Sequence, residues 1–304
     1  MATIKTEIHL KNYPYFILCM SKSIEQLQLV AYRQDTHSVL IWTSKNLSYA
    51  GRLELFKSVI TSTTNFWCSA FRLPCGCLER IEQMCSAFLC SGSTIITSKA
   101  KVAWSDLSVP KKGGLGIRNM KDTSMVFSLK LICMILSRKH SLWVSWVYKY
   151  LIRDSSSWDI SPKTTCGFWM WRKLLKIRDV AVTFFNMYIK DGASTYFWTD
   201  IWCDLQPLLQ ILGEVGTILL GISRKAKVAE AIDALGWKLQ RCRGRVMQVI
   251  IEKINRVPPP RPDARKDRAL WKQGPYIYQE KFVSKLTWDL LRSTQDKVVW
   301  FNIV

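Results

Sequence analysis

Residues 47–92, LSYAGRLELFKSVITSTTNFWCSAFRLPCGCLERIEQMCSAFLCSG, and residues 99–116, KAKVAWSDLSVPKKGGLG, decide the fold class. Ser48 stands where a helix N-cap is expected, and Leu53, Phe56, Val59 and Ile60 follow it at helical spacing. Pro74 punctuates the chain, after which Leu78, Ile81, Cys85, Phe88 and Leu89 fall along one face of a second helix. A Ser/Gly break, a basic segment around Trp104 and a glycine turn complete the stretch. Those glycines permit positive φ. The spacing is not that of a P-loop, because GxxxxGK[ST] is absent.

Outward from this pair, Met125–Leu136 is apolar on nearly every side and predicts a central buried helix. Leu142–Ile152 predicts another, with Trp143, Val147 and Tyr150 as its packing stripe. After a serine-rich break at 155–157, residues 166–185 read as a helix. Its face carries Arg172, Lys173, Lys176 and Arg178, opposite Trp171, Leu174, Leu175 and Val180. Tyr188-Ile189, a turn at Asp191-Gly192, and Thr195–Trp198 give a strand–turn–strand signal. Helices are expected over Val228–Leu235 and Arg241–Ile254. Residues 258–268 read as a Pro/basic linker, because prolines remove donors and like charges resist collapse. Strands follow at Ala269–Lys272 and Tyr276–Phe282, then a helix at Ser284–Arg292. Residues 1–40 show no period and are expected to be poorly ordered. The expected fold is mainly α: a helical bundle, then an α+β segment with short hairpins.

The 304 residues carry a formal charge of +21, a sign that gathers polyanions. Apolar residues make up 48% and suffice for a core, but no segment approaches the ~20 continuous apolar residues that span a bilayer. The early apolar run Tyr13–Met20 is short and broken by Pro14, unlike a secretory leader. The ten cysteines are therefore expected to be reduced thiols inside the cell, in nucleus or cytoplasm, with no membrane association. Cys75, Cys77, Cys85 and Cys90 imitate a metal box. Helical placement makes core thiols the expected reading, with no metal and no cofactor.

Catalytic signatures are sparse. Two-metal nucleotidyl transfer calls for paired aspartates on a tight hairpin, and no Asp-Asp pair occurs in the sequence. His9, His37 and His140 are scattered without Ser or Cys partners at motif spacing. HExxH, GxSxG and Rossmann fingerprints are absent. Asp200, between Trp198 and Trp202, reads as a cap or turn residue rather than a catalyst.

The order and wording of these pieces resemble the region downstream of the palm in plant LINE-type (non-LTR) retrotransposon reverse transcriptases. The resemblance covers Ile41–Val304 and continues through SLWVSWVYKYLI (141–152), FWMWRKLLKIRD (168–179), GASTYFWTDIW (192–202) and KLTWDLLR (285–292). It implies a thumb-like helical region at 41–152, a connection region at 153–257, and the truncated start of a zinc-binding-type module at 269–304. The catalytic palm is expected upstream and the zinc ligands downstream. The resemblance then implies no enzyme activity for this piece and a thumb that grips RNA or DNA by the phosphate backbone. Arg52, Lys57, Lys99, Lys101, Lys111, Lys112 and Arg118 would make those contacts. The competing expectation is a protein-interaction remnant, or a decayed reading frame with no selected function.

Overall fold

A computed structural model describes residues 47–70, 72–91, 119–153, 155–164, 167, 169–233, 236–240, 242 and 244–291. The chain divides into two compact units. The first holds the described residues of Met1–Ser128, Phe168–Lys173 and Trp288–Val304; the second holds those of Leu129–Gly167 and Leu174–Thr287.

In the first unit Ser48 is extended, and its hydroxyl accepts from the Gly51 amide at 3.2 Å, so the expected N-cap forms. Helix α1 (Tyr49–Leu55) runs through a π-helical turn at Phe56–Ile60 into α2 (Thr61–Ala70). Pro74 separates these from α3 (Cys75–Ser91), whose Leu78, Ile81, Cys85, Phe88 and Leu89 are all buried. They pack with Phe56, Ile60, Cys68, Leu73 and Met120 into one core. Glu79 and Glu82 tie α3 to the start of α4 (Met120–Leu136), through the Lys121 ammonium and the Met120 amide. Replacing Ser48 by alanine orphans an amide at the start of α1. The expected loss is about 1 kcal/mol, read from urea unfolding of the full chain; an unchanged midpoint would mean water replaces the cap without loss.

The apolar character of α4 has the predicted consequence: of its residues only Lys121 and Lys130 are exposed. Next come α5 (Leu142–Val147), capped by Ser141 and continued by a π-helical turn at Tyr148–Ile152, and α6 (Trp169–Val182). The second unit then builds a three-stranded antiparallel sheet in the order β1 (Phe185–Tyr188), β4 (Arg268–Lys272), β5 (Tyr278–Gln279). Phe185 pairs with Trp271 and Tyr188 with Arg268. Between β1 and β4 lie α7 (Leu208–Leu212), α8 (Val215–Leu220), the short pair β2 (Ile232–Asp233) and β3 (Gly236–Trp237), and α9 (Arg245–Asn255). Helix α10 (Ser284–Leu291) follows the sheet. Phe197, Trp198, Trp202, Leu208, Leu220, Val228, Ile250 and Ile254 form the core of this unit. The fold is mainly helical with small antiparallel sheets, as the sequence suggests.

Two expectations are corrected. Thr195–Trp198 is not the return strand of a hairpin: β1 pairs with β4 instead, 80 residues on. Phe197 and Trp198 are both fully buried, so this segment lacks the alternation a half-buried strand requires. Its backbone groups are also claimed elsewhere, with Phe197 N donating to Ala226 O and Val228 N to Thr195 O. Likewise the described part of the expected Val228–Leu235 helix, Val228–Asp233, is not an α-helix. A 3₁₀ turn over Val228–Ala231 leads directly into β2, and Ile232 pairs with Trp237.

Candidate functional site

Asp267 anchors the second unit's main polar cluster. Its Oδ1 accepts from the amides of Lys190 (2.8 Å) and Gly192 (2.9 Å), and its Oδ2 from the hydroxyls of Ser194 (3.1 Å) and Thr195 (2.7 Å). Burial disfavours the charge, but these four donors outweigh it and hold the carboxyl below the usual aspartate range. Gly192 suits the turn because its φ is +65° and an added Cβ would lie 2.8 Å from the Ala229 nitrogen. The segment read from composition as a linker therefore fixes the 190–195 turn. Arg261 N also donates to Lys190 O, and Pro260 is buried.

Asp200 closes the next turn, accepting from the Tyr196 amide at 2.8 Å and the Ser156 hydroxyl at 2.6 Å. The turn role read from the sequence is what the geometry shows. Burial of its carboxyl pushes its pKa up, against the hydrogen bonds and the charges of Lys227 and Arg138. Lys227 sits over the Tyr196 ring, its Nζ 2.9 Å from the centroid. Burial and the nearby Arg138 guanidinium pull its pKa down to about 8, with Asp200, Glu230 and Asp267 opposing.

Asp267, Ser194, Tyr196 and Asp200 border a cavity of about 490 Å³ within the second unit. Asp200, Asp267 and Asp191 line it, together with Trp158, Phe185 and Tyr148. So do two exposed cations, Arg138 and Lys266, and the exposed His140 imidazole. Arg138 has φ +46° and ends α4 in a Schellman arrangement, where Lys139 N donates to Met134 O and Arg138 N to Ile135 O. Its guanidinium lies 5.1 Å from the Tyr148 ring centroid, and the Tyr148 hydroxyl donates to Ile135 O at 3.0 Å.

The expected nucleic-acid residues are only partly within view. Arg52 is half-buried and donates to Phe88 O at 3.2 Å, so part of its guanidinium holds α1 to α3. Lys57 is exposed. Lys99, Lys101, Lys111, Lys112 and Arg118 lie outside the described residues, as does Trp104. On α6, Arg172 and Lys176 are exposed, whereas Arg178 donates to Ser157 O at 2.5 Å. Cys75 and Cys90 stand near opposite ends of α3, about 22 Å apart along its axis, so the four cysteines cannot converge on one ion. Of these four, the core-thiol expectation holds for Cys85 alone and is corrected for Cys75 and Cys90, which are exposed at the helix ends, while Cys77 is half-buried. Among the described residues no helix is long and apolar enough to cross a membrane.

Over 178 residues the chain is 36% identical to an Arabidopsis thaliana protein named "Putative ribonuclease H protein". This chain resembles a plant protein. The overlap takes in 56% of the chain and 28% of that relative, so it spans less than a third of the relative's length. No protein-family model matches the chain, and no solved structure does.

The cavity residues were not singled out from sequence as a site. Asp267 is one carboxylate in a basic, proline-rich run, and Arg138 follows a helix with no glycine to mark its end.

Proposed function

We propose that the chain is a non-catalytic piece of a plant LINE-type retroelement reverse transcriptase, holding RNA or DNA through the phosphate backbone. The observation that carries this is the formal charge of +21, which matches a polyanionic partner. The similarity to a plant protein with a ribonuclease name points the same way. So does the ordered series of motifs from residue 47 to residue 292. Phosphates carry no base identity, so contacts from Lys57, Lys99, Lys101, Lys111, Lys112 and Arg118 give sequence-independent binding, as would any part of Arg52 left free by its contact with Phe88 O.

Filter or fluorescence binding of the full chain to duplex and structured RNA tests this reading. Six neutralised phosphates imply a fall in affinity of about 10³-fold between 50 and 200 mM salt. A flat salt dependence rejects it. No primer extension and no cleavage of an RNA–DNA hybrid are expected with Mg²⁺; activity above a mock preparation rejects the non-catalytic part.

Exposed Val215, Ile218 and Leu219 on α8 favour a second reading, a surface for a protein partner. That partner would stay bound at high salt and be indifferent to neutralising the 99–118 lysines.

A further inference from the structure

The three-stranded sheet of the second unit buries one side and leaves the other to solvent. Its register puts Phe185 opposite Trp271, and both rings are buried. Side chains alternate along a strand, so the neighbours of this pair point the other way. On that opposite side stand Tyr188, paired with Arg268, and Tyr278, paired with Lys272. All four are exposed or half-buried, with Tyr188 at 55% and Tyr278 at 37%. Among the described residues the exposed aromatic side chains are Tyr49, Phe66, Tyr188, Tyr276 and Tyr278. Three of these five belong to this sheet or to its β4–β5 turn, which singles out the sheet as a place where rings meet an outside partner.

Cations are interleaved with the rings. Lys190 Nζ lies 5.8 Å from the Tyr188 centroid, and Lys272 neighbours Tyr278 across the β4–β5 ladder. Neither lysine belongs to an ion pair among the described residues. Two carboxylates near this face are engaged within the protein. Glu280 accepts from Arg268 at 2.6 Å, and Asp204 from the Asn186 side-chain amide at 2.9 Å.

Exposed rings beside unpaired ammonium groups suit bases on a phosphate backbone, since every base has a face to stack and every nucleotide a phosphate. The spacing selects an open strand. Tyr188 and Tyr278 stand two strands and four residues apart, about 16 Å across the sheet. Bases in a duplex lie about 3.4 Å apart with their faces already stacked, so rings this far apart reach only splayed bases.

We propose that this sheet face binds single-stranded nucleic acid, with bases on Tyr188 and Tyr278 and the backbone held by Lys190 and Lys272. The proposal rests on the nucleic-acid reading above and adds the form of strand and the surface that takes it.

The test is fluorescence anisotropy of the full chain with a labelled strand of about 12 nucleotides, alone and annealed to its complement. RNA and DNA strands of one sequence show which sugar the face prefers, and the effects below are expected for the tighter of the two. Tyr188→Ala and Tyr278→Ala should each weaken single-strand binding about ten- to a hundredfold, and duplex binding by less than about twofold. Tyr188→Phe keeps the ring and should keep the affinity. Tyr278→Leu keeps apolar bulk without a ring, so it should bind as poorly as Tyr278→Ala while holding the melting temperature. Lys272→Ala should reduce the salt slope by about one. Phe66→Ala, which removes an exposed ring of the first unit, should leave the affinity unchanged.

Unchanged single-strand affinity in folded Tyr188→Ala and Tyr278→Leu overturns the proposal, as does an equal loss of duplex affinity in the same variants. If binding falls steeply with salt yet ignores both tyrosines, the broader reading stands and this face fails. If bulk binding is flat with salt while the single strand still needs both rings, the phosphate-held reading fails and this face stands.

Discussion

Replacing Asp267 by alanine is expected to destabilise the second unit by about 3 kcal/mol. Its carboxylate collects two backbone amides and two hydroxyls from residues 190–195. Hydrogen bonds to a charged acceptor contribute about 1.5–3 kcal/mol each, and the partial exposure of Asp267 admits water that recovers some of that. Thermal unfolding followed by tryptophan fluorescence should show a midpoint about 6–12 °C lower.

Asp267→Asn should lose less. Its carbonyl can retain the two amides while the Ser194 and Thr195 hydroxyls rotate to accept from its nitrogen. What it loses is the charge, and with it a pH dependence. Asp267 has a folded pKa below its unfolded value, so its contribution is present above about pH 3.9 and disappears as the pH falls through the folded pKa. Asp200 has the opposite sign: its raised folded pKa makes stability fall as pH rises from about 3.9 through that value. Acid titration of the two single asparagine variants should therefore change slope in opposite directions. A loss below about 1 kcal/mol in Asp267→Ala would mean the turn holds without its carboxylate.

Trp271→Ala is expected to have the larger effect, about 4 kcal/mol. The ring is 1% exposed on β4, the middle strand of the sheet, stacked on Phe184 at 5.6 Å and tilted against Phe282 at 5.1 Å. Its indole N–H donates to the buried Thr287 hydroxyl at 3.0 Å. Removing it opens a cavity and weakens the sheet that pairs residues 185–188 with residues 268–271. Trp271→Phe keeps a ring but leaves the Thr287 oxygen without that donor, for a loss of about 1–2 kcal/mol. Adding Thr287→Val should recover part of it, a coupling that a double-mutant cycle measures directly. Additivity of the two substitutions would show that the N–H to hydroxyl bond contributes little.

Local signals carried the helices well. The spacing from Leu78 to Leu89 and the cap at Ser48 are short-range facts, and both reappear in the packing. Among the described residues the helices expected at Arg241–Ile254 and Ser284–Arg292 run over Arg245–Asn255 and Ser284–Leu291. The sheet was less legible because its decisive pairing, Phe185 with Trp271, joins residues with no shared local pattern. A β-rich run at 195–198 beside a good turn imitates a hairpin, and only the burial of both Phe197 and Trp198 reveals otherwise. The cavity stayed hidden for a similar reason. Arg138, Asp200 and Lys266 belong to distant segments, and composition assigns Lys266 and Asp267 to a spacer.

The clasp between Lys190 and Asp267 spans 77 residues, and this separation has a consequence during synthesis. A ribosome adding roughly 5–20 residues per second needs roughly 4–15 s to travel from one partner to the other. Throughout that interval the nascent 190–195 turn lacks its acceptor and β1 has no β4 beside it. Phe184 and Phe185 meanwhile emerge ahead of Trp271, the residue they pair and stack with in the finished sheet. The growing chain thus presents an unpaired, aromatic-flanked strand to its surroundings, the kind of edge that attracts other chains. Translation speed between codons 190 and 271 accordingly sets how long each new molecule remains vulnerable to clumping before its sheet can close.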